Sequence, residues 1–308
     1  MSFGKPTLRD YLLMHFIVLL WGFTSLLGAF LQPLSATEVV FWRTLLAAGL
    51  MWVLFGARYR KHPLQGSRLW AVLAGGAIIG VHWFLFFLAA RVGNVSSCLA
   101  GIATGSVWTA LLEPLYERKP FRKADILSAI VVMVGLLVVF AGQADKVWGV
   151  VVGIASALFS ALYGILNRRF VQTGSDVYAI STVGLTGAFL TTVLLLPLSV
   201  AVGVQENVLP TLPDATHWLW IGLLSGVCTV FALTASVGLL KRFSAFSSSL
   251  AINMEPVYGI ILARVLLGQA EQMTTAFYVG TALILLAVLG HPLAQSRSRT
   301  DGVEVTGS

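Results

Sequence analysis

Long apolar stretches, each closed by a short polar turn, recur along the whole chain. A helix crossing a bilayer needs ~20 mostly apolar residues. Ten stretches meet that length: Asp10–Leu31, Ala36–Gly56, Arg68–Ala90, Val95–Leu115, Ala124–Gly142, Trp148–Arg168, Val177–Val202, Thr216–Leu240, Phe243–Leu267 and Thr274–His291. They are too long for strands and lack the alternation of a barrel strand. The turns between them carry breakers: Gln32-Pro33, His62-Pro63, Gly174-Ser175, and Leu209-Pro210 with Pro213. Trp148, Trp218, Trp220 and Tyr59 fall near predicted ends, where aromatic rings favour a membrane interface. The pattern predicts an all-α integral membrane protein with ten transmembrane helices.

Composition agrees and removes alternatives. Of the 308 residues, 57% are hydrophobic and only 11% charged, and the mean hydropathy is +0.86. A soluble domain of this size has ~25% charged residues and cannot hide so much apolar surface. A soluble enzyme, a disordered chain and a disulfide scaffold are thereby excluded. Cys98 and Cys228 lie inside apolar segments and read as small buried hydrophobes. No cleavable signal peptide is read at the start: more spans follow the first apolar run at once.

The net charge of +7 is topological. Lys and Arg collect in cytoplasmic loops of membrane proteins. With the N-terminus inside, 16 of the 20 basic residues fall on the inner side: Lys5 and Arg9, the loops after spans two, four, six and eight, and the tail. The opposite loops hold only Arg91, Lys146 and Arg264, and Arg43 lies within a span. Ten spans with both termini in the cytoplasm of a cell with an inner membrane fit this alternation. The lipid bilayer is the expected partner, and nucleic acid is not.

The halves resemble each other. Ser97-Cys98-Leu99-Ala100 in span four parallels Ser248-Ser249-Leu250-Ala251 in span nine. Spans five and ten match through Ile130–Leu137 and Tyr278–Leu285, and spans one and two parallel six and seven more weakly. Five spans per half send the second half into the membrane in the opposite sense, the arrangement of inverted-repeat secondary transporters. The chain resembles the drug/metabolite transporter superfamily in its EamA-domain branch. The resemblance rests on Leu20-Trp21-Gly22, Arg43, the turn Arg91-Val92-Gly93-Asn94, Asn253–Gly259 (Asn-Met-Glu-Pro-Val-Tyr-Gly) and Leu267-Gly268-Gln269. It implies two repeats, at about residues 11–142 and 149–291, followed by a cytoplasmic tail, 292–308, expected to be disordered. The proline usual in the middle of span four is absent, and Glu113-Pro114 comes later. The resemblance also implies a permease, in most members an exporter or exchanger of amino acids and other small metabolites.

Ionisable groups within apolar spans are costly and mark function. Glu255 lies halfway along span nine, with Asn253 before it and Pro256, a hinge candidate, after it. A carboxylate there serves to carry a proton or bind a cationic amine, or it is a structural group held by Arg. His82 and Trp83 lie past the middle of span three. The histidine reads as a proton shuttle or as a bond to a neighbouring helix, and the tryptophan as a stacking surface or as packing. Arg43 either holds a substrate carboxylate or pairs with Glu38 or Glu255 as a gate. Tyr163 and Asn167 share a face of span six. Glu113, beside Arg118 and Lys119, reads first as a solvated interfacial charge and second as part of a cytoplasmic gate. Pairs of glycines at spacing four, Gly76/Gly80, Gly101/Gly105, Gly149/Gly153 and Gly222/Gly226, suit close helix contacts.

No Walker loop, metal-ligand spacing or hydrolase motif appears, so neither a catalytic residue nor a cofactor is expected. The expectation is a secondary transporter, monomer or homodimer, that moves a small-molecule substrate with protons as a candidate coupling ion. A membrane-embedded enzyme and a non-transport membrane subunit are the alternatives. Uptake and drug efflux stand beside export.

Overall fold

The structure, a computed structural model, describes residues 4–93, 95–139, 147–267, 275–276, 279–288 and 290. The described residues are helical or in turns, with no strand. The helices are α1 (Leu8–Phe30), α2 (Ala36–Lys61), α3 (Gly66–Val92), α4 (Val95–Ile102), α5 (Gly105–Glu117), α6 (Lys123–Val139), α7 (Val147–Gln172), α8 (Val177–Ala201), α9 (Ala215–Ser225), α10 (Ala232–Leu239), α11 (Ala245–Ile252) and α12 (Glu255–Leu267). A π-helical turn, Gly226–Phe231, joins α9 to α10. Val279–Val288 forms a further short apolar helix.

Side-chain caps decide where several helices begin. Thr7 with Asp10 and Ser35 with Glu38 form reciprocal capping boxes at α1 and α2. Asp176 caps α8, Asp214 caps α9 and Ser244 caps α11. Asp176 also takes the Arg58 guanidinium at 2.8 Å, fixing the α7–α8 turn to the end of α2. Burial alone would raise the Asp176 carboxyl, but Arg58 and the amides of Ala179 and Tyr178 hold it below its ordinary value.

Seven helical stretches among the described residues are long and apolar enough to cross a membrane: α1, α2, α3, Ser97–Glu117, α7, α8 and Ala215–Leu239. The predicted span four is α4 and α5 with a break at residues 103–104. The predicted span nine is α11 and α12 with a break at residues 253–254. α6, at 17 residues, covers most of predicted span five. The end of that span, much of span ten, Asn94, Gly268-Gln269 and the tail 292–308 lie outside the described residues.

Large apolar side chains cover the outside. Val53, Trp70, Leu127, Leu137, Trp148, Leu194, Leu219, Val265 and Leu286 are all exposed. So much apolar surface is tolerable only against lipid. Inside, helices touch where side chains are smallest. A Cβ on Gly76 would run into the carbonyl of Gly184, and one on Gly187 into that of Leu73, so α3 and α8 meet backbone to backbone. Gly101 of α4 meets Gly153 of α7, and Gly22 of α1 meets Gly259 of α12, where an added Cβ would lie 2.9 Å from the Gly259 nitrogen. These are the close approaches that small residues permit.

Candidate functional site

The helices leave a cavity of about 110 Å3, roomy enough for several waters or a small organic solute. Its wall comes from α1, α2, α3, α4, α7, α10, α11 and α12. Most of it is apolar, through side chains such as Ile79, Phe86, Ile102, Leu233 and Val237. The polar exceptions include Thr24, Arg43, His82, Tyr163, Ser248 and Glu255.

Arg43 is 3% exposed, inside a membrane-crossing helix. Its Nε–H donates to the Thr229 hydroxyl at 2.8 Å, and its guanidinium carbon lies 4.0 Å from the centre of the Trp83 ring. That is a cation–π stack in a desolvated place, where such stacks are strongest. Among the described residues Arg43 has no carboxylate within ion-pair distance. Glu38, a sequence candidate for its partner, caps α2 instead. Its carboxylate accepts from the Ser35 amide at 2.7 Å and from the Thr211 amide at 2.8 Å. The Arg43–Glu38 pair, one of the alternatives for Arg43, is therefore not formed, because both Glu38 oxygens are taken by backbone amides.

Glu255 opens α12 and is 6% exposed. Its carboxylate lines the cavity and has no hydrogen-bond donor among the described residues. Arg43 and Glu255 thus face one cavity with opposite charges and no salt bridge between them. Unpaired charges in a low-dielectric space are costly unless a ligand or water completes them.

His82 donates from Nδ1 to the Ser156 carbonyl at 3.0 Å, with the Ser156 hydroxyl 2.9 Å away. The hydroxyl itself donates to the His82 carbonyl at 2.8 Å. With Nδ1 facing a carbonyl, the proton sits there and Nε2 is left as the acceptor. Trp83 and Tyr163 line the same cavity. Of the sequence candidates, the structure therefore brings Glu255, Arg43, His82, Trp83 and Tyr163 together.

Asn167, Asn253 and Pro256 are not part of the lining. Asn167 donates to the Tyr163 carbonyl at 2.8 Å, a local bond within α7. Asn253 ends α11 and is buried, with Nδ2 lacking an acceptor among the described residues. Pro256 is the second residue of α12, where a missing N–H costs nothing. The break lies just before it, at residues 253–254.

Two features were not read from the sequence. Trp21 lines the cavity, and its Nε1–H donates to the Cys228 carbonyl in the π-turn at 3.2 Å. Glu113 is buried rather than solvated, and its partner is neither Arg118 nor Lys119. It accepts from Arg168 of α7 at 2.7 Å and from the Ala245 and Phe246 amides of α11 at 3.1 and 2.8 Å. Arg168 also bonds Glu117 at 2.7 Å.

A bundle of apolar helices around a cavity lined by ionisable side chains defines a multi-pass membrane protein of the transporter class. The chain belongs to the EamA-like transporter family, which matches residues 8–141 and 147–291. Over 276 residues it is 26% identical to an uncharacterized transporter of Synechocystis, covering 84% of this chain and 76% of that one. It is 24% identical over 300 residues to the uncharacterized transporter YyaM of Bacillus subtilis, covering 90% and 93%. It is 22% identical over 302 residues to protein RarD of Salmonella typhimurium, covering 92% and 96%. A solved crystal structure with 18% identity shares the fold at a TM-score of 0.73, over 94% of this chain and 98% of the other.

Proposed function

We propose that this chain is a secondary transporter that exports a small polar metabolite, an amino acid or a related compound, by alternating access. Ten spans form two inverted five-helix repeats in an inner membrane, with both termini cytoplasmic. The cavity is the cargo site. The observation that carries this reading is that Arg43 and Glu255, ionisable groups of opposite sign, line one mostly apolar cavity with no salt bridge between them. Nothing in a purely structural bundle calls for that arrangement, and a passing ligand completes it.

The broken segments support the repeat. Each is a pair of helices interrupted by a two-residue break, at residues 103–104 between α4 and α5 and at residues 253–254 between α11 and α12. Midplane breaks of this kind are where secondary transporters build sites. Glu255 and His82 are the candidates for proton coupling, and no nucleotide enters the mechanism.

The test compares cells expressing the parent and Glu255→Gln at equal membrane levels, by metabolite profiling of the medium. The parent is expected to enrich one class of compound, and Glu255→Gln to lose about tenfold of that flux, the scale of one charge-assisted contact. In membrane vesicles the residual flux should no longer depend on pH. Equal, still pH-dependent flux from both would remove Glu255 from coupling. No enrichment by the parent would overturn export.

A further inference from the structure

The one π-turn among the described residues lies beside the cavity charge. An α-helix places a threonine hydroxyl against the carbonyl four residues back. In Gly226–Phe231 the Thr229 hydroxyl instead donates to the Leu224 carbonyl, five residues back, at 2.6 Å. That bond commits the hydroxyl proton, so the oxygen is left to accept, and it accepts Arg43 Nε–H at 2.8 Å. The polarity is fixed: Thr229 receives from the guanidinium and gives to the backbone. The same turn offers the Cys228 carbonyl to Trp21 Nε1 at 3.2 Å. One irregular turn in a third helix thus orients two cavity-lining side chains, from α2 and α1, without lining the cavity itself. π-turns inserted in α-helices recur at functional sites, because one added residue rotates the remainder of the helix by ~100°.

The other face of the guanidinium is held by Trp83, 4.0 Å beneath it. Nε is spent and the plane is stacked. The two terminal nitrogens have no acceptor among the described residues, and the side chain lines the cavity. We propose that Thr229 is the positioning residue for Arg43, holding the guanidinium at Nε so that its two terminal amino groups form a two-pronged receptor for a carboxylate on the cargo. A planar fork matches a carboxylate bidentately. Glu255, which lines the same cavity, disfavours a dianion such as phosphate, so the receptor suits a single negative charge. The proposal rests on the cavity being the cargo site and goes further, naming the anionic end of the cargo and the residue that aims its receptor.

The test needs no known cargo and no flux. Phenylglyoxal modifies arginine at the two terminal nitrogens. The purified full chain, Thr229→Ser and Thr229→Val are treated with it, with benzoate or its neutral isostere benzamide as competitor, and the Arg43 peptide is quantified by mass spectrometry. Benzoate is expected to protect Arg43 in the parent and in Thr229→Ser at about tenfold lower concentration than benzamide. In Thr229→Val, which keeps the shape and loses the acceptor, that preference should fall to about one, with modification of surface arginines unchanged. Thr229→Val showing the parent's preference would overturn the role of Thr229. Equal protection by benzoate and benzamide in the parent would overturn the carboxylate receptor. Failure of the transport reading shows elsewhere, as absent flux in the profiling experiment while the benzoate preference persists.

Discussion

Glu113 shows what a single carboxylate can join. Its oxygens take Arg168 of α7 and two amides at the start of α11, while the residue itself belongs to α5. The α11 amides are among the four that a helix start leaves unpaired, so a buried carboxylate there satisfies them and complements the helix dipole. Glu113→Ala strands these donors and leaves Arg168 with Glu117 as its remaining carboxylate. The expected loss is ~2 kcal/mol, below the value for a fully dry pair because Glu117 remains. It should be read as a fall of several degrees in the thermal unfolding midpoint of detergent-purified protein, with Glu113→Gln falling between the two. At this scale the sequence was legible where chemistry is rare. Arg43, His82 and Glu255 stand out because ionisable groups seldom enter apolar runs. Glu113 was misjudged because its true partner lies 55 residues away, whereas Arg118 and Lys119 are close only along the chain. Thr229 gave no signal, since threonines are ordinary in membrane helices. Asn167 looked chemical and turned out to bond its own helix.

Helix pairs sort the glycine motifs. Gly76, Gly101, Gly149 and Gly153 each meet another backbone so closely that a Cβ has no place, and at Gly80 it would lie a tight 3.0 Å from the Ala188 carbonyl, whereas Gly222 and Gly226 meet nothing within 4 Å among the described residues. Spacing four therefore marked close contacts at both members of two pairs, at only the first of Gly101/Gly105, where Gly105 meets just the Ser249 hydroxyl at 3.6 Å, and at neither of the last, because spacing alone does not say which face is packed. Gly76→Ala must push α3 away from α8 and should cost ~1–3 kcal/mol, as overpacking does. Gly222→Ala has open space and should be neutral or gain up to ~1 kcal/mol from helix propensity. Thermal unfolding of the two variants beside the parent decides this, and equal destabilisation would deny the close approach. The existence of most helices was plain from apolar length. The breaks were not. Pro256 pointed toward the one at residues 253–254, but nothing marks residues 103–104, where Ala103-Thr104 reads as ordinary helix. The π-turn leaves the hydrophobic pattern of predicted span eight unchanged, since the whole stretch is apolar.

For the whole molecule, the charge asymmetry of the loops makes a topological claim. On the proposed orientation Pro120, in the turn between α5 and α6, lies inside, and Asn207, in the loop before α9, lies outside. Both positions are exposed, and the two native cysteines are buried, so they need not be removed. A membrane-impermeant maleimide on intact spheroplasts is expected to label Asn207→Cys and to spare Pro120→Cys until lysis. The reverse would invert the orientation, and labelling of both would break the five-span halves.

The two broken segments share a backbone plan but not a chemistry. In α12 the acid–proline pair, Glu255-Pro256, occupies the first two positions, and its acid lines the cavity. In α5 the pair, Glu113-Pro114, occupies the ninth and tenth positions, about 12 Å further along the axis. There it fastens helices together. For a carrier working as proposed, this makes the two half-cycles unequal. Microscopic reversibility forbids such a built-in latch from setting the final ratio of cargo across the membrane, which the driving gradient alone determines. What the latch governs is where the empty carrier rests, and therefore which side sees the faster turnover when cargo is scarce.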